Sequence, residues 1–328
     1  MTKIKPMLIL ILIWAVSSFP NEKEPVEISF LPHWQPQAQF PGYYIALEKG
    51  FYKDNGLKVT IIPGGPTQPT IDNLKSGRAD FISTFLTTGI ESRASGLNLV
   101  NIVQLSQCSA LMIVAKKASG IQVPQDLDGK KIGMWRAEFQ LLPKAFIKQY
   151  DLNMEIVTIQ NTMNLFLSGG IDAATAMWYN KYHTLINFGL DPDEMTTFHF
   201  YDYCDLNFPE DGIYCLEELY CQKPELCRAF ADSSIEGWLY SFEHQAEAVE
   251  IVMKFMTQAH IPANSAHQKW MLARMIDLFM PDSSGAELGH LEKNTYLKVA
   301  DRLIECGLIE TIPPYEQFYK GRASYVKE

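Results

Sequence analysis

FLPHWQPQAQFPGYYIALEKGFYKDNGLKV, residues 30–59, decides how the rest of the chain is read. It begins inside the run Ile28-Ser29-Phe30-Leu31, whose apolar character predicts a short buried strand. Pro32 stops that strand, and a loop follows that carries His33, Trp34, Gln35, Gln37 and Gln39 between two further prolines. Tyr43, Tyr44, Ala46 and Leu47 then recur at helical spacing, with Gly50 placed as a C-terminal cap. Phe51 and Tyr52 turn the corner, Gly56 reverses the chain, and residues 57–61 alternate as a second strand. A strand that empties into one indole and several amides ahead of a helix has the form of a ligand site. Open α/β sheets bind beyond the carboxyl ends of their strands. Trp34 would serve equally as a core residue beside a solvated loop, and this stretch alone leaves both roles open.

Further segments carry a family likeness. The run WQPQAQFPGYYIALEKGFYKDNGL (residues 34–57) resembles the opening of the NMT1/THI5-like group of type II periplasmic binding proteins. That group includes the pyrimidine-precursor binding proteins of thiamin uptake and the yeast-type pyrimidine synthase. LKSGRADF (74–81), IQVPQDLDGKKIGMW (121–135), SGGIDAATAMWYNKY (168–182) and AFADSSIEGWLYSFEHQAEAV (229–249) continue the resemblance. It implies a type II periplasmic binding fold of two α/β lobes with a ligand cleft between them. Lobe 1 would be discontinuous, residues 25–115 and 215–328, with lobe 2, residues 116–214, inserted. The first crossing is expected near 115–120, and residues 212–216 are expected to return as a strand. Residues 191–211 read as a loose segment, and the tail from 312 to 328 as surface chain.

Composition agrees with a globular protein of that size. The 328 residues are 47% hydrophobic and 20% charged, enough for two cores. A net charge of -10 excludes a nucleic-acid footprint, which needs a basic stripe. The first twenty residues stand apart. Lys3 and Lys5 precede an almost wholly apolar run, residues 7–16, and Val16-Ser17-Ser18 suits cleavage. We read residues 1–20 as a cleaved signal peptide, with an uncleaved anchor as the alternative, and place the mature protein in a periplasm. Six cysteines fit an oxidising compartment. Cys108 and Cys306 read as buried thiols, and a disulfide among Cys204, Cys215, Cys221 and Cys227 is open. No zinc motif is present, since the chain holds no CxxC pair.

No elbow, P-loop, metalloprotease or dinucleotide motif occurs, and the seven histidines are scattered. The resembling synthase takes a lysine for its cofactor and, one helical turn later, a sacrificial histidine. Those positions match Thr84 and Thr88 here, and the family's CCCFC motif is replaced by NFPEDGIYC. We therefore expect no enzyme, no cofactor and no metal. The candidate ligand residues are Trp34, Gln39, Tyr43, Thr84 and Thr88 from lobe 1, and Trp135, Glu138, Asn164, Tyr179 and Asn180 from lobe 2. Aromatic rings would stack on a heterocycle, and Glu138 would accept from an exocyclic amine. Thr84 and Thr88 suit helix capping as well. Asn164 and Tyr179 are implied mainly by the resemblance.

The function implied is capture of a pyrimidine thiamin precursor, formylaminopyrimidine- or hydroxymethylpyrimidine-like, for an ABC permease and its ATPase. The protein would act as a monomer that meets the membrane only through the permease. Riboflavin or an alkylsulfonate as ligand, or a sensory role beside a membrane kinase, are the alternatives. A sulfonate needs cations in the cleft, and the loops named above hold few besides Arg136.

Overall fold

The computed structural model describes residues 24–135, 137–160, 162–203, 205–281 and 287–322, with the side chains of 137 and 138 set aside. The signal-peptide reading of residues 1–20 lies outside the described residues.

Among the described residues, ten strands form two five-stranded mixed sheets of matching design. The first is built from β1 (Val26–Leu31), β2 (Leu57–Ile61), β3 (Phe81–Phe85), β4 (Leu99–Gln104) and β10 (Asp211–Leu216), in the order β2-β1-β3-β10-β4. The second takes β5 (Leu111–Lys116), β6 (Lys131–Met134), β7 (Glu155–Thr158), β8 (Ala173–Met177) and β9 (Met195–His199), in the order β7-β6-β8-β5-β9. In each sheet three neighbouring strands run parallel, and one strand that has crossed from the other lobe inserts antiparallel. That strand is β10 between β3 and β4, and β5 between β8 and β9. Strands β3, β4 and β8 are buried along their whole length, so they show no apolar–polar alternation, and the few polar side chains they carry, such as Asn101 and Gln104, are buried too.

The sheet membership of β5 moves the first crossing. Leu111–Lys116 pairs with β8 (Ile113 opposite Thr175) and β9 (Ile113 opposite Phe198), so the chain changes lobe at residues 105–110 and not at 115–120. It returns through residues 200–210, and β10 starts at Asp211, a few residues ahead of the expected boundary at 215. An apolar run announces a buried strand, but nothing in it names the sheet that buries it. Within the segment read as loose, Met195–His199 forms the edge strand β9. The tail is also more than surface chain. Phe318 and Tyr319 are buried, the Tyr319 hydroxyl donates to the Gly289 carbonyl (3.0 Å), and the Lys320 amide donates to that of Asn101 (2.8 Å).

The core of the first lobe is aromatic. Phe230 stacks on Phe81 (4.4 Å between ring centroids) and Tyr52 (5.4 Å), and Tyr43 sits against Phe30 (4.3 Å) and Trp238 (5.8 Å). Each such ring contributes about 1.5–3 kcal/mol by leaving water. Glycine lets two helices meet here. In the Pro41–Glu48 helix a β-carbon on Gly42 would fall 2.4 Å from the Trp238 ring, and one on Gly237 of the Pro224–Glu243 helix 2.0 Å from the Gly42 carbonyl oxygen.

The five described cysteines are free. Cys215 and Cys227 are buried with their sulfurs 4.0 Å apart, Cys204 lies outside the described residues, and Cys306 is exposed rather than buried. Cys108 is half-buried, and burial pushes its thiol up to about 12. Among the described residues no helix is long and apolar enough to cross a membrane.

Candidate functional site

The loop after β1 is packed closely against the chain at residue 64. Gly64 passes so close that a β-carbon there would lie 2.0 Å from the Pro32 carbonyl oxygen and 2.5 Å from that of Trp34. Facing this loop is the end of β8, where Trp178–Tyr182 makes one turn of π-helix, a geometry found often at functional sites. Between them lies a cavity of about 320 Å³, at the small end of the range for small-molecule sites. Its first-lobe wall includes His33, Trp34, Gln37 and Gln39; its second-lobe wall includes Trp135, Phe139, Met177, Tyr179, Asn180 and Lys181.

The two walls are joined by specific contacts. The Asn180 amide donates to Gln37 Oε1 (3.3 Å), and Phe139 sets its edge against Phe85 (5.2 Å). Trp135 is fixed by donation from Nε1 to the Gln160 carbonyl (3.0 Å) and by a perpendicular Phe139 ring (5.3 Å). Behind the cavity, the first-lobe helix Ser265–Phe279 clasps the π-turn. Trp270 Nε1 donates to the Trp178 carbonyl (3.2 Å), and the Arg274 guanidinium lies 4.8 Å from both indole centroids. His183 and His267 complete the clasp, their Nδ1 atoms 2.8 Å apart. Only one of these two nitrogens can carry the shared proton, and burial holds both rings below the ordinary histidine value, His267 at about 4.

A polar cluster closes the first-lobe wall. Gln39 donates to Asp211 Oδ2 (3.0 Å) and accepts from Gln37 (2.7 Å). The His33 ring contacts Ser83 Oγ through Nδ1 (2.9 Å) and Gln39 through Nε2 (3.1 Å), and lies 3.5 Å from Asp211 Oδ1. That separation leaves Oδ1 buried without a hydrogen bond. Burial raises the Asp211 carboxyl, while the His33 ring and the Gln39 bond draw it back down. Next to it, Glu210 reaches into the first crossing, where Oε1 accepts from Ser109 Oγ (2.8 Å), Ala110 N (2.9 Å) and Leu111 N (3.2 Å). Burial pushes Glu210 up to about 8. The Tyr179 hydroxyl is held well above its ordinary value by burial and by the charges of Asp211 and Glu210, so it stays neutral. Among the described residues no group of three or more His, Cys, Asp or Glu is disposed to hold a metal ion.

Of the ten residues read from the sequence as ligand candidates, Trp34, Gln39, Trp135, Tyr179 and Asn180 line the cavity. Glu138 lies in the turn Ala137–Gln140, and its side chain is outside the described residues. The other four do not line the cavity. Tyr43 is a core residue at 1% exposure, turned inward by the helical spacing that placed it in the reading. Thr84 is buried in β3 opposite Gly212, and Thr88 sits one turn into the Leu86–Ala94 helix. Asn164 is exposed at the start of the Asn164–Leu167 turn. His33, Gln37 and Lys181 were not among the candidates, nor was Asp211. The first two stand in the opening stretch itself, and Lys181 follows Asn180 directly.

This geometry has relatives. Riboflavin-binding protein RibY of Chloroflexus aurantiacus is 21% identical over 317 residues, covering 92% of this chain and 87% of its own. The formylaminopyrimidine-binding protein of Halalkalibacterium halodurans is 23% identical, covering 70% of each chain. Relatives in Legionella pneumophila and Saccharomyces cerevisiae are named 4-amino-5-hydroxymethyl-2-methylpyrimidine phosphate synthases, and the yeast alignments reach 45% of each chain. In three dimensions, the periplasmic aliphatic sulphonate binding protein SsuA of Escherichia coli superposes with a TM-score of 0.70 at 16% identity, covering 93% of this chain and 95% of its own. That likeness establishes a periplasmic binding protein fold. The family model described as NMT1/THI5 like matches residues 37–248, well over half of the sequence and most of the cavity wall, and the chain belongs to that family.

Proposed function

We propose that this protein is the solute-binding component of an ABC importer, and that it captures a small heteroaromatic molecule of the pyrimidine thiamin-precursor class. One observation carries the reading. The cavity places the indoles of Trp34 and Trp135, from opposite lobes, beside the side-chain amides of Gln37 and Gln39, the latter backed by Asp211. Aromatic walls supply buried area and stacking for a flat ring. The amides of Gln37 and Gln39 supply acceptor oxygens for a ring amine, with Gln39 held in place by its donation to Asp211. Two lobes joined by two crossings can close on such a ring and open to release it. Export to the periplasm and a permease with its ATPase as partners go with this reading. The positions of the synthase's cofactor lysine and histidine are taken by Thr84 and Thr88, which supports binding over catalysis.

The relative named for riboflavin spans most of the chain, so a flavin is the second ligand to test. The experiment is a thermal-shift panel on freshly purified protein with aminopyrimidines, thiamin, riboflavin and taurine. Ligand at about a hundred times its Kd stabilises the folded state by about 2.7 kcal/mol. A shift with aminopyrimidines alone supports the proposal; a shift with riboflavin or taurine alone replaces the ligand; no shift with any aromatic refutes it.

A further inference from the structure

The π-turn brings a cation to the cavity wall. Lys181 follows Asn180 in the turn Trp178–Tyr182 and lines the cavity with Trp34 and Tyr179. Among the described residues its ammonium has no hydrogen bond and no ion pair. Other shielded cations of this chain are provided for. Arg93 donates to the Leu99 carbonyl and pairs with Glu217, Lys116 donates to the Leu167 carbonyl above the Phe166 ring, and Arg274 pairs with Asp277 beneath two indoles. Burial alone pushes Lys181 below the ordinary lysine value. A desolvated ammonium without a counter-charge costs free energy, and Lys181 is a lining residue of the cavity as well as a neighbour of His267.

The opposite wall is neutral and amide-bearing. Gln37 and Gln39 line the cavity from the first lobe, and the Asp211 carboxylate lies behind Gln39, accepting from it. A ligand that satisfies both walls therefore presents a ring N–H or amine to the glutamine oxygens and an acidic substituent to Lys181. Resting on the reading of the cavity as a heteroaromatic site, we infer that Lys181 selects ligands whose ring bears an anionic group, a phosphate monoester or a free carboxylate, over their neutral counterparts. A lysine suits this role because its ammonium is a compact point charge that can meet one oxyanion without the planar fork an arginine demands.

The test uses matched pairs that differ only in the acidic group. These are 4-amino-5-hydroxymethyl-2-methylpyrimidine with its phosphate and its 5-carboxylate analogue, and riboflavin with its 5′-phosphate. Inorganic phosphate is run alone as the arm for the anion without a ring. Affinities are taken by calorimetry and by tryptophan emission on the wild type, Lys181→Met and Lys181→Arg, with melting curves to show that each variant folds. The expected result is an anionic member at least tenfold tighter than its neutral partner in the wild type, equivalent to about 1.4 kcal/mol. That ratio should fall to within about threefold of unity in Lys181→Met and be largely kept in Lys181→Arg, with inorganic phosphate alone binding weakly to all three. If aromatic ligands bind and quench emission but show no anionic preference, or if the preference survives in Lys181→Met, the inference fails while the heteroaromatic reading stands. If no aromatic ligand binds any of the proteins, that reading fails first and takes the inference with it.

Discussion

Glu210 ties the two crossings together, and removing its carboxyl gives a prediction whose size follows from the contacts. Oε1 takes three donors from the first crossing, and the Glu210 amide donates to Ser106 Oγ (2.6 Å). In Glu210→Ala the Ala110 amide loses its acceptor in a buried site, which costs about 1–3 kcal/mol. The Leu111 amide keeps Ser109 Oγ at 3.1 Å, so its loss is small. The deleted methylene and the space it leaves add about 1 kcal/mol. At low pH, where the carboxyl is neutral in both states, the total is about 2–4 kcal/mol, whereas Glu210→Gln keeps an acceptor oxygen in place and should cost under about 1 kcal/mol. Urea denaturation followed by circular dichroism reads both, provided the slope is unchanged between variants. The pH dependence gives an independent check. The carboxyl is raised in the folded state to about 8 from 4.5, so its contribution is complete below pH 4.5 and is lost as pH rises through 8. Wild type should thus lose several kcal/mol against Glu210→Gln between pH 5 and pH 9. A Glu210→Ala protein as stable as Glu210→Gln, or a gap that is flat across that range, would falsify the account of the crossing.

The lobe clasp should weaken in acid. His267 is lowered in the folded state from 6.5 to about 4, so its contribution is present above pH 6.5 and lost as pH falls toward 4. Because the ring is partly open to water, about 1 kcal/mol is at stake. Melting curves at pH 7 and pH 4.5 should show the wild type losing that much more than His267→Gln, and equal losses would remove the histidine pair from the clasp. Trp34 is half-buried at the cavity mouth, and Trp34→Ala should cost about 2–3 kcal/mol of ligand affinity, roughly a hundredfold, with a cooperative melt retained. Unfolding with affinity intact would make it a core residue. Gly237→Ala drives a methyl group to 2.0 Å from a backbone carbonyl that cannot rotate away, so about 3 kcal/mol or more should be lost in urea denaturation; a tolerated substitution would mean that the two helices separate easily.

Most of the secondary structure was legible because it is local. Ile28-Ser29-Phe30-Leu31 announced β1, the Gly50 and Gly56 punctuation bounded the next elements, and residues 173–177 ended as a strand at Trp178. What local pattern could not supply was partnership. Residues 111–115 are apolar because they are covered on both faces, and such a run looks the same in either sheet. Met195–His199 was lost among aspartates and aromatics because an edge strand pairs on one side only and shows little alternation.

The site divides along the same line. Trp34, Gln39, Trp135, Tyr179 and Asn180 stand at strand ends, and a strand end is visible in sequence. Tyr43 shared the composition of a site residue and went to the core, because helical spacing places a ring on a face without saying what the face meets. The charges that set the chemistry were the hardest to find. Gln39 and Asp211 are 172 residues apart and meet only through the return of β10 beside β3, and Lys181 lines the same cavity as Gln39 from the other lobe. Amides and a cation on opposite walls have a consequence for the proposed binding. A ligand that answers both must touch both lobes at once, so recognition and closure would become a single event. A ring that satisfied the glutamine amides alone would bind the first lobe and leave the second free to move. Selectivity then resides in the second wall, where the π-turn holds Asn180 to Gln37 and sets Lys181 toward whatever occupies the cavity.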